Sequence, residues 1–338
     1  MKKDNKKVIY WLLIGCILIF IMVVVGGITR LTHSGLSISN YKLISGTIPP
    51  IGDAEWQEAF ELYQQYPEYQ KLNNHFSLQD FKDIYFWEWL HRVIGRFIGL
   101  VFFLPFVYFL ITKQLTKPTI KKAIILLIMG GFQGFLGWYM VKSGLVDNPD
   151  VSHYRLSAHL TTAFLTFAFT FWVALDLIFP YKKEVNVKLR NLIRVALVLL
   201  IIQIIYGAFV AGLDAGFIHN HWPLMNEGKF IHETVFIEQN PLYRNFIEGK
   251  SGVQFAHRII AYLVVISIGL IWIKSKGLLL TIFQKKGINS LILLVTLQFI
   301  LGVSTLILHV PVWLGVAHQV GAFFLLSAMT FTLHRFSK

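Results

Sequence analysis

The sequence predicts an all-α integral membrane protein of eight transmembrane helices, arranged as two tandem four-helix bundles related by a pseudo-twofold axis. Three observations predict it. Of 338 residues, 55% are apolar and only 14% charged, whereas soluble domains carry charge on about a quarter of their residues. Apolar runs of about 20 residues, enough to cross a hydrocarbon core roughly 30 Å thick, recur along the chain. The last four runs also repeat marks carried by the first four, so each half is one unit with a parallel orientation.

The first run, 8–28, follows a basic stub, Met1 to Lys7. It is too long for a signal-peptide core and lacks a small-residue cleavage site, so it reads as a retained helix. No Arg- and Ser-rich transit segment precedes it, which favours a bacterial plasma membrane. An outer segment, 29–87, comes next. There Asp53 is expected to cap a short helix with Trp56, Phe60 and Tyr63 on one face, ended by Pro67, and Ser77 with Asp80 resembles a capping box opening a second. Such helices either anchor among lipid headgroups or form a lid. The runs 88–111, 120–141 and 153–179 complete the first half, 1–184. The second half, 185–338, holds runs 193–213, 253–273, 288–309 and 312–333, with a second outer segment, 214–252, after its first run.

The net charge of +13 in a soluble chain would suggest nucleic acid as a partner, but the basic residues fall in short loops on one side. Lys2, Lys3, Lys6 and Lys7 are followed by Lys113, Lys117, Lys121 and Lys122, by Lys182, Lys183, Lys188 and Arg190, and by Lys274, Lys276, Lys285 and Lys286; Arg335 and Lys338 close the chain. By the positive-inside rule both termini are cytoplasmic, and an even number of spans agrees. A single cysteine, Cys16, excludes an internal disulfide or a thiolate metal cluster.

The repeat is visible in four places. Gly26 to Gly35 parallels Gly207 to Gly216, His91-Arg92 parallels His257-Arg258, Gln133 to Gly137 parallels Gln298 to Gly302, and Ala158-His159 parallels Ala317-His318. Gly95 with Gly99 and Gly130 with Gly134 have the spacing that lets membrane helices approach closely. The four histidines enter from matched helices, about 6 to 12 Å below the outer surface at 1.5 Å per residue. One buried membrane histidine is often just a hydrogen-bonding group, but matched pairs suit two axial ligands on a planar macrocycle, so haem is the natural occupant. Zinc or copper would want further ligands, and neither half supplies a cysteine or a third matched histidine.

Arg92 and Arg258 directly follow ligand candidates and either pair with haem propionates or snorkel to lipid phosphates. Arg30, His33, His153 and Arg155 cluster near the outer ends of the first-half helices as entrance candidates; His219, His221 and His232 lie in the second outer segment and carry a weaker signal. The halves part at one position. Glu88 stands three residues before His91 and shares its helix face, while Gln254 stands three before His257. A carboxylate can take or give a proton while a ring substituent is oxidised; a carboxamide can only hydrogen-bond. The alternative is an interfacial glutamate meeting water or Arg92. On the first reading the N-terminal pair is the reactive site and the C-terminal pair an electron-transfer haem.

Taken together, GGITRLTHSGLSI from Gly26 to Ile38, the Glu88-to-Arg92 motif, Trp138 to Leu145, His153 to His159, Ala211 to Gly216, Asn220 to Asn226 and both C-terminal histidines resemble the haem A synthase family over nearly the whole chain. The resemblance implies oxidation of the C8 methyl group of haem O to a formyl group. It implies that His91 and His159 bind substrate haem O, His257 and His318 hold a haem b, and Glu88 is the essential carboxylate. It further implies oxygen or water as the source of the new oxygen, an external electron-transfer partner, and delivery of haem A to a terminal oxidase, with haem O synthase and oxidase assembly factors as candidate partners. A homo-oligomer is compatible with it. Some members carry paired outer-loop cysteines; this chain has the longer first outer segment instead, like the cysteine-poor class that includes mitochondrial enzymes. Two readings stand against it: a quinol-linked di-haem b electron carrier, and a non-catalytic haem transfer protein. Histidines near one face place two haems side by side, which suits a catalyst with a helper better than a wire across the bilayer.

Overall fold

The computed structural model describes residues 5–38, 45–144, 151–180, 186–226 and 228–337. Lys2, Lys3, Leu145, Lys182, Lys183, Lys338 and the part 39–44 of the first outer segment lie outside the described residues. Among those described, the protein is helical with no strand; one isolated bridge joins Asn226 and Lys229. Among the described residues, eight helices are long and apolar enough to span a membrane: α1 (Lys6–Leu31), α3 (Leu78–Ile111), α4 (Lys117–Gly144), α5 (His153–Ile178), α6 (Val187–Gly212), α7 (Lys250–Ser275), α8 (Ile282–Ile307) and α9 (Val312–Phe336). A shorter helix, α2 (Gly52–Tyr63), lies in the first outer segment.

The outer segment departs from expectation in three ways. Asp53 does not cap α2: the N-cap residue is Ile51, without a side-chain cap, and Asp53 sits within the first turn, where its charge favours the positive end of the helix dipole. Helix α2 ends at Tyr63, ahead of Pro67, and Pro67 instead begins the next turn. The capping box is present, with the Ser77 side chain taking the Asp80 N–H and the Asp80 carboxylate taking the Ser77 N–H, yet it opens α3 itself and not a separate second helix. Helix α3 therefore starts well before residue 88.

That early start explains what the aromatic face of α2 does. It packs on the first turns of α3 and does not point outward to headgroups. Phe60, Tyr63, Phe81 and Ile84 form a buried core, with Trp56, Tyr69, Phe76 and Tyr85 packed around it. Tyr63 stacks on Phe81 with ring centroids 5.1 Å apart, and Trp56 meets Tyr85 edge-on at 5.0 Å. Aromatic pairs of this kind add about 0.5–1.5 kcal/mol each beyond their burial.

By packing, the chain divides into a unit Ile14–His159 and a unit made of Met1–Leu13 with Leu160–Lys338. In the second of these, α6 packs on α7 and α9, and α8 packs on the same two helices, closing a four-helix bundle. Capping fixes the helix starts: Asn186 accepts the Leu189 N–H at α6, and Thr281 with Gln284 forms a capping box at α8. The Gln284 amide also donates to the Arg335 carbonyl at the end of α9. Not every glycine expected to mediate close approach does so. A Cβ built on Gly95 would meet Met22 at 3.0 Å, but one on Gly99, Gly130 or Gly134 would meet nothing within 4 Å.

Candidate functional site: two histidine pairs

Within the first unit, His91 on α3 and His159 near the start of α5 come within electrostatic reach of each other. A glycine on a neighbouring helix sets each ring. A Cβ on Gly26 of α1 would lie 3.0 Å from His91 Cε1, and one on Gly137 of α4 would lie 3.2 Å from His159 Cε1. Both imidazoles thus rest against bare helix backbone, at a distance any larger residue would have to give way to. Gln133, one turn before Gly137 on α4, donates its amide to the His159 carbonyl at 2.8 Å and reaches His159 Nδ1 at 3.2 Å.

The other unit repeats the arrangement. His257 on α7 and His318 on α9 influence each other in the same way. A Cβ on Gly207 of α6 would lie 3.3 Å from His257 Cε1, and one on Gly302 of α8 would lie 2.8 Å from His318 Cε1. Gln298 donates to the His318 carbonyl at 3.0 Å and meets Nδ1 at 3.2 Å. One contact has no counterpart: Gln203 Nε2 lies 3.2 Å from His257 Nε2, whereas the matched position on α1 is Met22.

The residues fit two bis-imidazole haem sites by their donor chemistry. Each unit offers an imidazole pair, and among the described residues no third histidine, cysteine, aspartate or glutamate joins either pair to form a metal cluster. The rings lie deep in their units but keep accessible surface. His91 Nδ1, His257 Nδ1 and the Oε1 atoms of Gln133, Gln203 and Gln298 are buried without hydrogen-bond partners. Such atoms are costly in a closed interior. Several of them gather around the four imidazoles, as a site that binds a group would require. Rotating the Gln133 or Gln298 amide presents Oε1 to Nδ1, the acceptor that a metal-bound imidazole commonly uses for its second N–H.

Glu88 and Gln254 turn out to hold equivalent loop segments with opposite polarity. Glu88, 3% exposed, accepts hydrogen bonds at Oε2 from the Ser37 hydroxyl at 2.7 Å and the Ile38 N–H at 2.8 Å, and at Oε1 from Arg92 at 2.5 Å. Gln254, 2% exposed, donates from Nε2 to the carbonyls of Ala215 at 2.8 Å and Ile218 at 2.5 Å. The arginines complete the match: Arg92 donates to the Ile38 carbonyl at 3.0 Å and Arg258 to the His219 carbonyl at 2.6 Å. Each site therefore has the segment following its first helix tied to its histidine-bearing helix. In the first unit the tie is made by an ionisable group.

The remaining expected residues divide. Arg92 and Arg258 are engaged with loop carbonyls, Arg258 also with that of Leu224 at 3.2 Å. Arg155 is half-buried; it donates to the Tyr139 carbonyl at 2.7 Å and stacks its guanidinium 3.7 Å over the Tyr139 ring, fastening the ends of α4 and α5. His153 stacks on Tyr154 at the start of α5. Arg30 lies in the last turn of α1, and His33 is exposed just beyond it with a left-handed backbone, φ 51°. His219 bonds to Asn226 at 3.1 Å and Ser251 at 2.9 Å, in a network with Thr234 and Glu238 that pins the second outer segment to α7. Burial lowers its tendency to hold a proton. The sequence presents the glycines under the four rings, like Gln133 and Gln298, only as marks of the repeat; the fold brings them against the imidazoles.

Residues 9–330 match the family described as cytochrome oxidase assembly protein, COX15-CtaA. A protein of Flavobacterium johnsoniae named haem A synthase is 64% identical over the full length of both chains. Its namesake in Flavobacterium psychrophilum is 61% identical over 99% of this chain and all of its own. Another, from Nitrosospira multiformis, is 45% identical over 98% of this chain and 93% of its own. The chain belongs to the COX15-CtaA family, alongside relatives that bear the name haem A synthase.

Proposed function

We propose that this protein is a haem A synthase, a multi-pass enzyme of the bacterial plasma membrane that oxidises the C8 methyl group of haem O to a formyl group. In this reading His91 and His159 hold the substrate, and His257 and His318 hold a resident haem b in the C-terminal half. The observation that carries it is the contrast at one matched position: both halves build the same imidazole pair, glycine seats and loop tie, and only the first makes the tie with a carboxylate. The tandem halves, 1–184 and 185–338, have both termini cytoplasmic and both sites near the outer face, as the lysine distribution and matched histidine depths support.

Bound haem b would supply one-electron transfer, its iron potential set by its axial ligands and their hydrogen bonds. The protein's own groups do the rest. Gly26 and Gly137 seat the two rings so that substrate is oriented on rigid helices, and Gln133 and Gln298 hold the rings of α5 and α9 in place. Oxidising a methyl carbon releases protons as well as electrons. Glu88, buried beside His91 and paired with Arg92, is the group placed to accept those protons. Where water supplies the new oxygen atom, those electrons leave to an external redox partner; where molecular oxygen supplies it, oxygen is the oxidant and the partner delivers electrons, with Glu88 giving protons instead of taking them.

The test is haem extraction after expression with a source of haem O. The unaltered protein yields haem A, and Glu88→Ala does not. Unimpaired haem A formation by Glu88→Ala removes the role given to that carboxylate, and no haem A from the unaltered protein removes the synthase reading. Replacing His257 or His318 by alanine is expected to abolish the haem b absorption spectrum of the purified protein; full haem b occupancy in either variant contradicts the second-site assignment.

A further inference from the structure

The two units also differ in what fills the flank of each histidine pair. In the C-terminal unit Phe299 of α8 follows Gln298, whose amide holds His318, and stands three residues before Gly302, the seat of the His318 ring. Residues at that spacing share a helix face. Tyr262 of α7 lies one turn beyond Arg258, and its ring centroid is 5.6 Å from that of Phe299. Trp222 of the second outer segment completes the cluster. Its indole N–H donates to the Tyr262 hydroxyl at 3.0 Å, and its ring meets Phe299 edge-on at 6.0 Å. Three aromatic side chains thus join α7, α8 and the outer segment beside the imidazoles.

The registers that pair His91 with His257 and Gln133 with Gln298 put Arg96 and Gly134 at the places of Tyr262 and Phe299. Arg96 donates to the Gly46 carbonyl at 3.2 Å, so the outer segment is tied here as well, but by a guanidinium and not by packed rings. A Cβ on Gly134 would meet nothing within 4 Å. Nor would one on Gly99 or Gly130, whose counterparts are Val265 and the buried Val295. Close helix approach does not account for these glycines, which touch no neighbouring helix and still carry the conformational cost of glycine in mid-helix. The first unit lacks bulk where the second is filled.

We propose that Phe299, backed by Tyr262 and Trp222, is the specificity determinant that reserves the C-terminal site for haem b, and that Gly134 leaves the N-terminal site open to haem O. The proposal rests on the assignment of haem O to His91 and His159. The two haems share a ring, and haem O carries a long isoprenoid chain in place of a vinyl group. Identical imidazole ligands cannot tell them apart. Better contacts to the shared ring cannot exclude the larger molecule either, so discrimination has to come from bulk that rejects the chain. Aromatic rings locked to one another by packing and a hydrogen bond supply that bulk, because they do not fold away as a lone flexible side chain would.

The experiment uses full-length protein purified from cells that make both haem b and haem O, with the pigments extracted and separated. In a His91→Ala, His159→Ala background only the C-terminal pair is left to ligate haem. We expect haem b there with little haem O, and adding Phe299→Gly should raise the ratio of haem O to haem b about tenfold or more. An unchanged ratio, or loss of haem b with no uptake of haem O, overturns the proposal, since a cluster that only packs would give that result. The reciprocal change, Gly134→Phe in the otherwise unaltered protein, should lower haem A formation about tenfold or more and leave haem b content as it was. Normal haem A formation by Gly134→Phe also overturns the proposal, and this variant decides the matter if Phe299→Gly does not accumulate. A His257→Ala, His318→Ala protein separates the two readings. If it retains no haem O, the assignment of haem O to the first pair fails; if it retains haem O and Phe299→Gly changes nothing, only the role of Phe299 fails.

Discussion

The two histidine pairs share a scaffold and differ in what surrounds it. In both, each imidazole lies on a glycine of the adjacent helix and an α4 or α8 glutamine holds the fourth-helix ring. In the C-terminal pair the ties that set it apart are neutral amides, Gln254 to the loop and Gln203 to His257, beside an Arg258 that matches Arg92. In the N-terminal pair these positions hold Glu88 and Met22. On the proposed reading, ligation and reactivity are separately encoded: shared glycines and glutamines would shape a place for a macrocycle, and a few neighbours would decide whether protons move there.

The comparison breaks most sharply at the tie itself. Changing Glu88→Gln gives the first site the second site's residue, and we expect haem A formation to fall by about 10²–10⁴ while haem b content is kept; a normal rate would mean that the difference between the halves is only structural. Next comes ring seating. Gly302→Ala places a methyl 2.8 Å from His318 Cε1 and Gly207→Ala places one 3.3 Å from His257 Cε1. The first should weaken haem b retention about tenfold and the second distinctly less, and the reverse order in a haem-loss assay would discredit the seats. The reciprocal change, Gln254→Glu, turns a carboxylate toward the Ala215 and Ile218 carbonyls. It should cost about 1–3 kcal/mol, read as a lower unfolding midpoint with no gain of activity.

The smallest effect concerns pH. Burial in the turn after α2 raises the Glu68 carboxyl in the folded state above its usual value of 4.5 to about 8, so its contribution to stability is fully present below pH 4.5 and is lost as pH rises through about 8. Hydrogen exchange in α2 and the turn after it, corrected for the intrinsic pH effect, should therefore become faster across that window. Glu68→Gln should flatten the trend, and an unchanged trend would place its cause elsewhere.

Much of this was legible in the sequence because membrane physics leaves strong marks. Apolar runs, lysine-rich loops and matched histidines follow from the cost of charge in hydrocarbon, and the Glu88/Gln254 difference needed only the alignment of the halves. The seats were not legible, since glycine is common in membrane helices; Gly130 and Gly134 have the expected spacing and touch nothing, while Gly137 one turn on supports His159. The start of α3 was hidden because residues 78–87 mix charge with aromatics, and only their packing on α2 makes them one helix with the span. Glu68 was hidden for a related reason. Between Pro67 and Tyr69 it reads as an ordinary surface charge, and its burial depends on residues from α2 and α3.

The opposed polarity of the two ties also constrains which substitutions this chain can accept. A glutamate needs donors before it, here a hydroxyl and an N–H, and a glutamine used as a donor needs carbonyls. Exchanging the helix residue alone leaves a buried donor or acceptor facing its like, so loop and helix must change together. Position 88 and the segment around Ser37 should accordingly behave in mutational libraries as one inherited character, each tolerating change only in the presence of the other.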